Sequence, residues 1–202
     1  RFSAQIIGRT SGRSSVAAAA YRAGQNLHDD RTGLDHDFTR KEGILHSEIM
    51  APANAPDWML ERDQLWNAVE AVETRKNSQM AREIQLSLPH ELSFEDNREL
   101  VRDFVQEQFV AKGMVADVNI HAPSSYGDQR NIHAHVQLTT RSLTGDGFGK
   151  KNRDWNDRAQ LEDWRQAWAI HQNRALTRSG EDGRVDHRSY ARQGLDKEPT
   201  IH

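Results

Sequence analysis

Apolar residues recur along this chain in two rhythms. Alternation of period two marks strands at 2–7, 80–88, 115–121 and 132–139, and a further strand is expected at 43–50. In 80–88, Met80, Ile84, Leu86 and Leu88 share one face, while Ala81, Glu83, Gln85 and Ser87 take the other, and Pro89 ends the run. Ala116, Val118 and Ile120 oppose Asp117, Asn119 and His121; Ile132, Ala134, Val136 and Leu138 oppose His133, His135, Gln137 and Thr139. Helical spacing runs through 57–73 (Trp58, Leu65, Trp66, Val69, Val72) and through 157–178 (Leu161, Trp164, Trp168, Leu176), which Gly180 ends. The alanine-rich stretch 14–27 reads as a helix capped by serine, and 29–33 as a turn. Segment 93–112 opens on Ser93 with Asp96 and stops at Gly113, the signals of a capped helix.

The order strand, helix, strand, helix, strand, helix, two strands, helix predicts an α+β fold: a central antiparallel sheet with helices packed on one face, a two-layer sandwich. The ten residues 122–131 suit a hairpin between the last two strands. The covered face is apolar; the other carries Glu83, His121, His133 and His135. Residues 1–202 read as a single domain, with 181–202 an arm or linker rich in charge and glycine. The start at Arg1 and the end at Thr200-Ile201-His202 read as one domain, the N-terminal part of a longer protein.

Composition narrows the picture. With 36% hydrophobic and 28% charged residues the chain is a polar globular protein, and it has no apolar run of the roughly 20 residues a membrane span needs. There is no cysteine, which excludes disulfides and thiolate metal sites and suits a reducing, cytoplasmic setting. The net charge of −3 speaks against nucleic acid only as a sum. Residues 1–28 carry Arg1, Arg9, Arg13 and Arg22 with no acid, and residues 141–153 carry Arg141, Lys150, Lys151 and Arg153 against Asp146 alone, while acids gather at Glu95, Asp96, Glu99, Asp103 and Glu107. Such segregation can build a basic groove on an acidic protein.

His133-Ala134-His135 is the strongest local signal. On a strand, residues i and i+2 point the same way, about 6–7 Å apart. His121 joins them if the hairpin pairs in register. Three neutral imidazoles make a site for a divalent transition metal with open positions for a substrate oxygen, pointing to Mn²⁺, Zn²⁺, Co²⁺ or Ni²⁺, since Mg²⁺ prefers oxygen ligands. His28, His36, His46, His90, His171, His187 and His202 form no comparable cluster. Glu83 is open to three readings: a surface carboxylate, an acceptor for the free N–H of a metal-bound histidine, or an acceptor of a tyrosine proton. Tyr21, in Ala17-Ala18-Ala19-Ala20-Tyr21-Arg22, is one of three tyrosines, and composition alone does not choose it over Tyr126 as a nucleophile.

Phe2-Ser3-Ala4-Gln5-Ile6-Ile7-Gly8-Arg9 followed by Ser11-Gly12-Arg13-Ser14 and Ala19-Ala20-Tyr21-Arg22-Ala23-Gly24 closely resembles the first motif of MobA/MobL relaxases. Ala81-Arg82-Glu83-Ile84 with Leu88-Pro89 resembles the second, and Asn131-Ile132-His133-Ala134-His135-Val136 the third, the His-hydrophobic-His signature of the HUH endonuclease superfamily. Asp186-His187-Arg188-Ser189-Tyr190 resembles a tail block of the same domain, and the whole is most similar to the N-terminal domain of TraA-type conjugal transfer proteins. The resemblance implies an HUH relaxase fold and nicking at a plasmid origin of transfer during conjugation. Tyr21 is then the nucleophile, His121, His133 and His135 the metal ligands, and Glu83 the acidic partner of a ligand. It further implies a 5′-phosphotyrosyl DNA intermediate, a bacterial cytoplasmic setting, and Mn²⁺ or Mg²⁺ as the ion, with Zn²⁺, Co²⁺ or Ni²⁺ able to occupy the site. The implied partners are single-stranded origin DNA, accessory relaxosome proteins and a coupling protein, with no membrane insertion.

Arg13, Arg22, Arg75, Lys76, Arg82, Lys150, Lys151 and Arg153 are the candidate phosphate contacts. Trp155, Trp164 and Trp168 are candidates for base stacking, though the spacing of the last two favours the core. Three other functions stay open: a rolling-circle replication initiator of the same superfamily, a zinc hydrolase, and a non-catalytic nucleic-acid-binding module. Gln137 stands where hydrolases of the His-x-His-x-Asp kind need an acid, and the strands display no aromatics of the sort RNA-binding sheets use.

Overall fold

Five strands pair into one antiparallel sheet in the computed structural model, which describes residues 1–123 and 131–180. Numbered in chain order, they are β1 (Phe2–Gly8), β4 (Ile44–Met50), β5 (Gln79–Ser87), β6 (Ala116–His121) and β7 (His133–Leu138), in the spatial order β1-β5-β7-β6-β4. Two small ribbons stand outside it: β2 (Asn26–Asp29) with β3 (Leu34–Asp37), and β8 (Arg141–Thr144) with β9 (Gly147–Lys151). The helices are α1 (Ser15–Ala23), α2 (Arg62–Val72), α3 (Phe94–Gln108) and α4 (Arg158–Arg178).

The α+β class and the central antiparallel sheet are as expected. Ile84, Leu86, Ala116, Val118, Ile120, Ala134, Val136 and Leu138 turn to one side and bury against Leu100, Phe104, Phe109, Trp164 and Trp168 of the α3–α4 layer. This is the apolar face that the alternation defines. Trp164 and Trp168 are core residues, and Trp155 joins them. Both long helices are capped as their sequences imply: Ser93 Oγ accepts from Asp96 N, and the Asp157 side chain accepts from Ala159 N.

The expectation of helices on one face only is corrected: α1 and α2 fold back over part of the opposite, polar face. They bury Val16, Ala19, Ala20, Leu65, Trp66 and Val69 against Ile7, Ala81 and Val115. Polar anchors fix the same packing. Trp66 Nε1 donates to Asp117 Oδ2 at 2.8 Å, Arg62 holds both Asp117 oxygens at 2.8 and 2.9 Å, and Gln137 Nε2 donates to the Ser15 carbonyl at 3.0 Å. Asp117 and Gln137 are the outward positions of β6 and β7, so the polar face is polar because helices are pinned to it.

Several boundaries move for local reasons. Helix α1 stops at Ala23 because Gly24 adopts a left-handed conformation (φ 63°), and Leu27 goes into β2 instead. Residues 57–60 form a separate 3-10 turn ahead of α2, and 110–112 another after α3. The register of β1 on β5 slips between Ile7 and Gly8, which pair with Ala81 and Gln79. Met80 is therefore the extra residue of a bulge, and it joins the cluster under α1 and α2, not Ile84 and Leu86 as strict alternation required. No helix among the described residues is long and apolar enough to cross a membrane.

Asp117 is fully buried and binds two α2 side chains. Asp117→Ala, which strands the Arg62 guanidinium beside β6, is expected to cost roughly 3 kcal/mol of stability in urea unfolding. A loss below about 1 kcal/mol would mean that α2 is held by its apolar contacts alone.

Candidate active site

The antiparallel register of β6 on β7 sets His121 directly opposite His133 and Asn119 opposite His135. That of β5 on β7 sets Gln85 opposite His135 and Glu83 opposite Gln137. Glu83, His121, His133 and His135 therefore share one face over three adjacent strands, and the rings of His121 and His135 lie 4.7 Å apart. Burial pushes all three histidines down, His121 to about 4, so each is a neutral imidazole at neutral pH.

Hydrogen bonds orient the rings. Burial by itself would raise the Glu83 carboxyl, but the bonds from His135 and Arg22 and the Arg22 charge outweigh it and hold the group at about 2. An ionised Glu83 Oε1 can only accept, so His135 Nδ1 donates to it (3.2 Å) and keeps its lone pair on Nε2. The Arg22 carbonyl likewise only accepts, so His121 donates from Nε2 at 2.7 Å. Gln85 Nε2 lies 3.3 Å from His133 Nδ1.

As a donor set, three neutral, partly buried imidazoles on one face fit a divalent transition ion. The ligating atoms are not preassembled, however. His121 spends Nε2 on the helix α1 backbone, and no group of three His, Asp or Glu side chains among the described residues is gathered around one point.

Helix α1 brings Tyr21 to this face. Ser14 caps its start, accepting from Ala17 N, and the four alanines let it approach the sheet closely. Its last turn is locked down through Arg22, whose guanidinium binds Glu83 Oε1 at 2.7 Å while its carbonyl receives His121. Tyr21, the preceding residue, stays 45% exposed. The Lys41 ammonium sits 3.6 Å from the centre of the Tyr21 ring and donates to the Tyr21 carbonyl at 2.8 Å; Phe38 meets the ring edge-on at 5.2 Å. Burial, reinforced by the Arg22 charge, pushes Lys41 down to about 8, and the Lys41 charge in turn depresses His121 and His135. One ammonium thus touches the phenol ring and acts electrostatically on two of the histidines. Lys41 carries no sequence signal; it follows β3 in a turn whose position only the tertiary fold defines.

The candidate phosphate contacts separate. Arg13 and Arg22 line a groove beside Tyr21. Arg75 and Lys76, on the turn after α2, line a concavity of about 580 Å³ with Arg9 and Arg31. Arg75 also borders a second, of about 660 Å³, with Arg141, Lys150, Lys151 and Arg153. Glu73, the acid between them, is spent on Arg141 and Lys151. Arg82 does not belong with these: it points to the opposite face of the sheet, where its guanidinium bonds the Trp155 carbonyl and Asn156 and lies over the Trp164 ring. It is part of the packing under α4. His28, His36, His46 and His171 make local pairs with Asp35, Asp29, Glu48 and Glu107. Tyr126, His187 and the block 186–190 lie outside the described residues.

The MobA/MobL family model matches residues 13–202. The chain is 38% identical to the conjugal transfer protein TraA of Agrobacterium fabrum (strain C58 / ATCC 33970), aligned over 100% of this chain and 21% of TraA. It is 37% identical to the mobilization protein MobL of Acidithiobacillus ferridurans, over 99% of this chain and 60% of MobL. It spans about a fifth of the length of the TraA relatives it matches. A solved structure described as the molecular basis of vancomycin resistance transfer in Staphylococcus aureus superposes with a TM-score of 0.86 at 34% identity, covering 94% of this chain and 98% of that one. The conjugative relaxase TrwC in complex with OriT DNA shares the fold at a TM-score of 0.62 and 12% identity, over 100% of this chain and 86% of its own. With nearly its whole length matched, the chain belongs to the MobA/MobL family.

Proposed function

We propose that this domain is a DNA relaxase of the HUH type, which nicks and rejoins one strand of plasmid origin-of-transfer DNA through a covalent tyrosyl intermediate. The observation that carries the reading is the exposed Tyr21 phenol, held by Lys41 on a helix that is bonded directly to His121 and, through Glu83, to His135 of the three-histidine face. Family membership and the relaxase-like fold support it, as does the TrwC relative, which has been solved with OriT DNA in a metal-bound form.

In this reading the Tyr21 oxygen attacks the scissile phosphorus in line. The O–P bond to tyrosine forms, the bond from phosphorus to the 3′ oxygen breaks, and the phenol proton is balanced by the proton the leaving 3′-hydroxyl gains. The product keeps the phosphodiester's energy, so the step reverses and needs no ATP. Lys41 and Arg22 surround the ring with positive charge as the phenol loses its proton. Glu83, held at about 2, is a poor proton acceptor, so its role is orientation: it fixes the His135 tautomer and the end of α1. His121, His133 and His135 would hold a divalent ion, Mn²⁺ or Mg²⁺ in the cell, which when bound supplies charge neutralisation at the phosphate oxygens. The concavities around Arg75, Lys76, Lys150 and Lys151 supply the basic walls for the DNA, and accessory relaxosome proteins and a coupling protein are the expected further partners.

The test uses single-stranded oligonucleotides covering the transfer origin of the plasmid that encodes the chain. The native protein is expected to give a DNA adduct that survives a denaturing gel, mapping to the Tyr21 peptide. Tyr21→Phe keeps the ring volume, so it should still bind the oligonucleotide and give no adduct. An adduct retained in that variant, or mapped to the Tyr126 peptide, contradicts the assignment.

Lys41→Met keeps the length of the side chain and removes its charge. It is expected to slow adduct formation about tenfold, the worth of a partly desolvated cation–π contact, with oligonucleotide affinity little changed. Lys41→Arg should restore most of the rate. Equal rates in all three proteins would show that Lys41 only packs against the ring.

A further inference from the structure

A groove of about 340 Å³ runs between α1 and the β2–β3 ribbon and ends at Tyr21. Its helix wall is formed by Ala17, Ala18 and Tyr21, which recur at spacings of three and four residues and so lie on one face of α1. Its opposite wall is Leu34 of β3, 58% exposed and the most exposed large apolar side chain among the described residues. Arg13 and Arg31 also line it. Arg13 makes no ion pair with a carboxylate among the described residues; its guanidinium reaches only the Ile6 carbonyl, at 3.3 Å. Arg31 keeps 41% of its side chain exposed while its Nε lies 3.5 Å from Glu70.

The acids along the groove are turned away from its opening and engaged by donors. Asp29 is fully buried and accepts from Ser14 Oγ and Arg31 N, while Glu83 is bound by Arg22 and His135. The groove thus presents an apolar strip with cations along it and the phenol at its end, edged by the polar side chains of Ser14, Thr32 and His36. From Ser14 to Tyr21 the helix rises about 10 Å at 1.5 Å per residue, the reach of one nucleotide and its flanking phosphates. The volume also suits one nucleotide and leaves no room for a duplex.

The geometry points to a single-nucleotide subsite. One base of the substrate strand lies between Leu34 and the Ala17–Ala18 strip, its phosphate faces Arg13 and Arg31, and the neighbouring phosphate is delivered to Tyr21. Shape and apolar contact are the means of recognition here, so the groove sets how well different bases are accepted next to the cleaved bond. This rests on the reading of Tyr21 as the nucleophile for its role in cleavage, but the binding itself can be measured without cleavage.

The experiment is a methyl and arginine-side-chain NMR titration of the metal-free protein with the hexanucleotide dT6 and with an abasic hexamer of the same charge. The expected result is that dT6 shifts the methyl signals of Ala17, Ala18 and Leu34, while the abasic hexamer shifts Arg13 and Arg31 and leaves those methyls in place. Leu34→Ser, at an exposed ribbon position that the core does not use, is expected to weaken dT6 about tenfold, the low end for one lost base contact, and to leave the abasic hexamer's affinity unchanged. Arg13→Gln should weaken both. Identical methyl shifts from both hexamers, or shifts confined to the walls around Lys150 and Arg153, or none, overturn the subsite. Failure of the nucleophile reading would appear elsewhere, as an adduct that persists in Tyr21→Phe.

Discussion

Glu83 lies in β5 with 1% of its side chain exposed, and a carboxylate at that depth is tolerated only against compensating partners. It has two, and they come from different elements: Arg22 at the end of α1 and His135 on β7. One buried charge thus ties the helix that carries the phenol to the strand that carries the histidines. Such a contact adds little net stability over an apolar pair of the same shape, but removing one partner leaves an uncompensated charge. Its value lies in geometry, since only one placement of α1 satisfies the carboxylate.

The other end of α1 is fixed just as firmly. Glu70 of α2 accepts from both the backbone N and the hydroxyl of Ser15, at 2.8 and 2.9 Å, and its second oxygen holds Arg9. Gln137 reaches the Ser15 carbonyl from β7. A nine-residue helix would be marginal alone; here it is anchored at its first residue and at its next-to-last, and Tyr21 sits between the anchors with its ring turned outward. Lys41 then fixes the ring from above. Position comes from the buried acids, and the electrostatic character of the site from Arg22, held by Glu83, and Lys41, held by the Tyr21 carbonyl.

The sheet and the histidine face were legible because their signals are local. Alternation in β5, β6 and β7 names the face of every residue, and an antiparallel hairpin makes His121 a cross-strand neighbour of His133. The same alternation places Arg82 with Ile84 and Leu86, so its engagement with Trp155 and Trp164 follows from the pattern and its choice as a phosphate contact did not respect it. The covering of the polar face by α1 was not legible. Four consecutive alanines present an apolar surface all round and no stripe to say which side is buried. The β2–β3 and β8–β9 ribbons are short, charged strands without a clean period. Lys41 becomes a site residue only through the turn that follows β3, a tertiary placement with no counterpart in spacing. The bulge at Met80 is invisible for a similar reason: one extra residue changes the partner, not the composition.

The central claim is that Tyr21 and the three histidines form one site. Paramagnetic broadening by Mn²⁺ tests it most directly, because the ion acts on nuclei by distance whatever the chemistry. With trace Mn²⁺ added to the protein, the ring signals of His121, His133 and His135 should broaden first. The Tyr21 ring should broaden with them, and His171 of α4, which packs on Phe104 behind the opposite face of the sheet, should broaden least. Broadening centred on the ribbon, or on the three histidines without Tyr21, would contradict the account.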